Sequence, residues 1–292
     1  MAGTRRNRMT WVAAVAAVAL LVVAAARAAA AWGARGAGTP ASSTAGDGEA
    51  FSHIHGLGVN PSDGALYVAT HHGVFRLTDS GAARVGEGRQ DTMGFTVIGP
   101  NEFLASGHPA PGEDGPRHLG LMHSDDAGRS WRVLSLGGDA DFHLLRVSGG
   151  VVFGVDSITG ALMATVDRTN WQTRSRIDVY DLAVDPDQPD ILLAVTEQGV
   201  SRSSDGGHTW TPNGGPDVIL LHWSPSGLLA VAADGKLLRS TDSGVSWTPT
   251  GGRAPAAPAA LTVHGDVVYL ATRDGRVLRS GDAGVTWQPM PA

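Results

Sequence analysis

Eight of the eleven histidines in this 292-residue chain lie between His53 and His143. When the short apolar runs are aligned on Val59, Val97, Val147, Val184, Trp223 and Val263, the residues four places earlier are His55, Met93, His143, Tyr180, Ile219 and Ala259. Two places before those stand His53, Asp91, Asp141, Asp178, Asp217 and Ala257. Imidazole with thioether and no thiolate suits copper, because Met favours Cu(I) and His serves both oxidation states, while imidazole with carboxylate also suits zinc. His53, His55, Met93 and His143 are therefore the candidate metal ligands. His71, His72, His108 and His118, with Asp91 and Asp141, are the candidates to close or support the site. Copper is the first expectation and zinc the second. Each residue also has a plainer role open to it. A histidine at a strand entrance can simply bond a neighbouring loop, Met93 shares a pleat face with Phe95 and can be core, His71-His72 can be an exposed turn, and the aspartates can cap turns.

These positions meet only if the runs are equivalent strands around one axis, and the repeats supply that arrangement. SDDAGRSW, SSDGGHTW, STDSGVSW and SGDAGVTW begin at Ser124, Ser203, Ser240 and Ser280, at intervals of 79, 37 and 40 residues. The long interval holds a degenerate copy from Ala164 to Trp171, and another weak copy begins at Leu77. Six units of about 40 residues follow, each reading as four short strands cut by Gly, Pro and Asp-Gly turns. Around Asp205 the strands are read at Asp181–Asp185, Ile191–Thr196, Val200–Ser203 and Trp210-Thr211. In Ser-x-Asp-x-Gly the Ser and Asp oxygens accept backbone N–H bonds and Gly supplies positive φ.

Asp126, Asp205, Asp242 and Asp282, with Trp131, Trp210, Trp247 and Trp287, are the structural residues of this phrase. The pattern resembles the Asp-box propeller superfamily, which includes sialidases, sortilin-type receptors and photosystem II assembly factors. The resemblance spans residues 51–292 and implies an all-β, six-bladed β-propeller with Asp-box hairpins. In that superfamily the box is structural and leaves function open.

In an antiparallel blade, the turn between the second and third strands lies at the same end as the start of the inner strand. The first unit fills that turn with Thr70-His71-His72-Gly73. The second carries a long insertion from Ser106 to His118, whereas later units have Thr-Glu-Gln-Gly, Ala-Ala-Asp-Gly and Thr-Arg-Asp-Gly. The turn histidines and the inner-strand column are thus expected at one mouth of the central channel.

Cysteine is absent, which excludes disulfides and thiolate metal sites. Arg5, Arg6 and Arg8 precede an apolar run from Trp11 to Ala26, with Arg27 and an Ala stretch reaching Trp32. Residues 1–32 read as a signal peptide or single-pass membrane anchor, and residues 33–50 as a flexible linker. An extracytoplasmic position, anchored in a bacterial membrane or secreted, follows. Beyond residue 50 the chain carries 17 basic against 26 acidic residues, which excludes nucleic acid as a partner and confines membrane contact to the N-terminal segment.

The function expected is a monomeric binding protein with a His/Met transition-metal site at the channel mouth of blades 1–3. Its partners would be a metal ion or small ligand on the propeller face and an envelope protein or glycan. A sialidase-like glycoside hydrolase or glycan-binding module is the alternative. It is disfavoured because the resemblance implies three substrate-gripping arginines and a Tyr/Glu pair, and the inner-strand entrances carry no arginine. A metal-free interaction scaffold is the third reading.

Overall fold

A computed structural model describes residues 51 and 53–291; the expected signal or anchor and the linker lie outside them. Among the described residues the regular structure is all strand, arranged as six four-stranded antiparallel sheets in chain order. The inner strands are Ile54–Val59, Asp91–Gly99, Phe142–Ser148, Asp181–Val184, Val218–Ser224 and Pro258–His264. They pack in sequence, and the sixth returns to the first, closing a six-bladed propeller. The fourth blade places its strands at Asp181–Val184, Leu192–Thr196, Gly199–Ser203 and Thr211–Pro212, within a residue or two of the boundaries expected from the sequence.

The blades adhere through apolar clusters that each bridge two neighbours. Leu193, Val195, Leu221 and Leu228 join blades 4 and 5, for example, and Leu229, Leu237, Leu270 and Leu278 join blades 5 and 6. The Ser-x-Asp-x-Gly turns lock the same seams. In each of the four, the Ser hydroxyl donates to the Asp carboxylate at 2.7–2.8 Å and accepts the N–H of the Gly four residues on at 2.8–2.9 Å. The Asp in turn accepts the N–H and hydroxyl of a Ser or Thr four residues on. The Gly is required at Gly207, Gly244 and Gly284: each has φ of 82–87°, and a Cβ would lie 2.4–2.7 Å from a leucine of the preceding blade. The tryptophans then reach backwards. Trp210 donates its indole N–H to Ser175 and Trp287 to the Arg253 carbonyl, each on the outer strand of the blade before, as Trp171 of the degenerate copy does to Ser135. Trp131 and Trp247 pack into the corresponding clusters.

Candidate functional site at the channel mouth

The aligned column that begins with His55 proves, in every blade but the fourth, to be a column of β-bulges. The inner strand of blade 1 shifts register between Ile54 and Gly56, that of blade 2 between Thr92 and Gly94, and those of blades 5 and 6 around Ile219 and Ala259. In blade 3 the shift falls around His143, between the Leu144 and Phe142 pairings. A bulge sets two residues against one partner and re-aims the extra side chain. Of the bulge residues, His55, His143 and Ala259 line an axial cavity of about 270 Å³, joined by Tyr180 from blade 4, whose inner strand has no register shift.

The turns between second and third strands lie at this end, since Thr70 pairs with Ile54 and His108 with Asp91. The Thr70 hydroxyl accepts the His72 N–H and donates to the Gly73 carbonyl, which holds His71 over the first bulge. Three donors meet there. His55 Nε2 is 3.4 Å from His71 Nδ1, His71 Nδ1 is 2.7 Å from Asp91 Oδ1, and His55 Nε2 is 3.7 Å from the same oxygen. Despite these distances the buried Asp91 Oδ1 has no aligned hydrogen-bond donor among the described residues. Burial, reinforced by the neighbouring His71 ring, pushes His55 down to about 4, so its imidazole is neutral at physiological pH.

A second set of donors adjoins the first. The Phe142 N–H donates to the Ser106 hydroxyl, which draws the inner strand of blade 3 against blade 2 and places Asp141 beside the insertion. His108 Nδ1 donates to Asp91 Oδ2 at 3.4 Å, while its Nε2 stands 3.3 Å from Asp141 Oδ2. His118 Nδ1 is 3.8 Å from that oxygen. Burial alone would raise the Asp141 carboxyl, but hydrogen bonds from His143 at 3.0 Å and Ser157 at 2.7 Å hold it well below the usual carboxylate range.

The expected ligands are thus partly regrouped. His55 meets His71 and Asp91, and Asp141 meets His108 and His118; both trios have the spacing to hold a metal ion. His143 serves Asp141 from an exposed position. His53, exposed and with φ of 96°, only stacks edge-on against His71, at 4.8 Å between centroids. Half-buried Met93 occupies the second bulge and is not part of the cavity lining. His72 belongs to neither trio, and Asp178 and Asp217 are exposed.

Two features escaped sequence reasoning. Ser157, in the strand-connecting turn of blade 3, supports Asp141, and its signal was position, because that turn is equivalent to the one carrying His71. Arg146 and His222 line the channel beside Thr96 and Thr262. All four immediately precede the residue on which the strands align, so the next column would have found them. Arg146 is engaged throughout, donating to Leu182 O, Leu145 O and Asp181.

No protein-family profile matches the sequence. No curated protein matches the sequence either. Solved structures do. The structure of YCF48 bound to D1 peptide is 20% identical, with 82% of this chain and 81% of that chain covered and a TM-score of 0.52. A chain of a nidogen/laminin complex is 12% identical, over 78% of this chain and 92% of its own, with a TM-score of 0.61. The GH74 xyloglucanase of Xanthomonas campestris is 16% identical over 82% of this chain, with a TM-score of 0.53, and this chain covers 45% of it. The shared property is the propeller fold.

Proposed function

We propose that this chain is an Asp-box propeller acting as a binding protein on the extracytoplasmic side of a bacterial membrane, anchored or secreted. It holds a transition-metal ion at the channel mouth through His55, His71 and Asp91. The observation that carries the reading is the buried Asp91 Oδ1, which lies within 2.7–3.7 Å of two imidazole nitrogens yet has no aligned donor. A buried carboxylate oxygen without a donor is costly, and a cation shared by the three atoms removes that cost. Their separations bracket the ~3.3 Å edge of a tetrahedron built on zinc bonds of about 2.0–2.1 Å. Nitrogen and oxygen donors suit Zn²⁺ or Cu²⁺, and the ion needs no thioether from Met93.

Membership of the Asp-box superfamily is supported by the identical bonding of the four Ser-x-Asp-x-Gly turns, and the location by the basic-then-apolar N-terminal sequence. A sialidase-like activity gains no support, because Arg146, the arginine of the channel lining, spends its donors on Leu145, Leu182 and Asp181. Partner binding on the same face is the second reading, since the like-folded YCF48 and nidogen chains were solved with a peptide and with laminin.

Metal content measured by mass spectrometry on the full chain, after zinc or copper loading and desalting, tests the proposal. The parent retains metal and the His55→Ala/His71→Ala variant loses one equivalent of it. A parent that retains none removes the metal and leaves the scaffold reading.

A further inference from the structure

The donors around Asp141 are distinct from those of the first trio, and their hydrogen bonding is more telling. His108 Nδ1 donates to Asp91 Oδ2. That bond sets the tautomer: with its proton on Nδ1, a neutral His108 presents a bare lone pair at Nε2. That nitrogen stands 3.3 Å from Asp141 Oδ2 and makes no hydrogen bond to it. His118 Nδ1 approaches the same oxygen at 3.8 Å and is itself buried without a partner, as is Asp141 Oδ1. Asp141 Oδ2 already accepts from His143 and Ser157, so it is Oδ1, with the unpartnered His118 Nδ1 and the free His108 Nε2 beside it, that lacks a counterpart, and a cation satisfies all three at once.

From this geometry we infer that the mouth is a two-ion centre: His108, His118 and Asp141 bind a second divalent cation of the zinc class, beside the ion held by His55, His71 and Asp91. The inference rests on the metal-binding reading above and extends it. Asp91 belongs to both sites. Its Oδ1 is a ligand of the first ion, and its Oδ2 orients the imidazole that binds the second, the carboxylate–histidine–metal relay common at zinc sites.

The second ion also has a mechanical consequence. His108 and His118 flank the base of the insertion, where the Leu119 N–H donates to the Gly107 carbonyl, whereas Asp141 comes from blade 3. An ion shared by the three fastens the insertion to the neighbouring blade. Arg117, exposed and adjacent to His118, reports that fastening as a trypsin site.

The test uses the full chain with Zn²⁺ as the probe, read by metal-to-protein ratio after desalting and by the rate of tryptic cleavage after Arg117. The expected result is two equivalents in the parent and one in His118→Ala. Zinc should slow cleavage roughly tenfold in the parent and not in the variant, because proteolysis follows local opening. His55→Ala/His71→Ala, which leaves the insertion intact, should keep one equivalent and the zinc-dependent protection. One equivalent in the parent, unchanged in His118→Ala, overturns the second site while leaving the first. No bound zinc in the parent overturns both.

Discussion

Asp91 acts twice at the mouth, as a ligand on one side and an orienting group on the other. Asp91→Ala should abolish the first ion and weaken the second about 10–100-fold, the usual cost of losing a ligand's supporting carboxylate; competition titration against a chromophoric chelator measures both. Met93→Leu should leave zinc affinity unchanged within about threefold, as expected if donors are imidazole and carboxylate. A large loss would return the thioether to the site. His222 makes a separate prediction. Burial, with the positive Arg146 nearby, lowers its value from 6.5 to about 4. Between those values the unfolded chain binds the proton and the folded chain does not, so acid favours unfolding there. Denaturant melts of the parent should therefore lose stability as pH falls from about 6.5 towards about 4, and His222→Gln should remove part of that slope, the rest coming from His55, which is lowered in the same way.

At the scale of the element, the bulge explains both what was legible and what was not. The column of His55, Met93 and His143 could be read from aligned strands, but a regular pleat would have placed those residues alike. It is the register shift that re-aims them, and no residue type announces it. The carboxylates two places earlier were equally visible, yet turn capping was the simpler reading for Asp91 and Asp141. Only the closeness of His71, His108 and His118, brought over by turns, distinguishes them from exposed Asp178 and Asp217. The Ser-x-Asp-x-Gly turn, by contrast, was almost fully legible because its bonds are local. Its backward grip on the preceding blade was not, and Ser175→Ala tests it: leaving the Trp210 indole N–H without its partner should cost about 1–3 kcal/mol in a chemical melt. The turns also carry an acid signature. Hydrogen bonds from Ser246 and Thr286 hold the Asp242 and Asp282 carboxyls at about 2, against 3.8 unperturbed. Their stabilisation is present above the unperturbed value and is lost as pH falls through about 2. Asp242→Asn should weaken that part of the acid transition while the His222 window remains.

Taken whole, the propeller closes, among the described residues, without exchanging a strand. Among the described residues each sheet is built from consecutive strands, so no sheet spans the seam between blades 6 and 1. Phe51, Ile54 and Leu57 pack there against Ala260, Ala271 and Val277, and the Arg279 guanidinium meets Asp79 at 2.6 Å across it. Phe51 also packs at a tilt against Phe75 and passes against Gly275, where a Cβ would fall 2.5 Å from the Phe51 carbonyl. Phe51→Ala should therefore destabilise the ring by about 3–5 kcal/mol, seen as a lower denaturation midpoint, whereas Arg279→Ala at the exposed pair should cost about 1 kcal/mol or less. The six-fold count was readable from spacing alone, but how the ring closes depends on contacts between its first and last units, which no repeat encodes. A rigid ring matters to the site because its ligands come from three blades and stay in register only while the blades do.

Anomalous diffraction from crystals of the zinc-loaded protein, collected above and below the zinc edge, tests metal binding at the channel mouth most directly. A peak is expected within His55 Nε2, His71 Nδ1 and Asp91 Oδ1, with a second between His108, His118 and Asp141. No zinc peak at the channel mouth, with the two trios hydrogen-bonded among themselves, would contradict it.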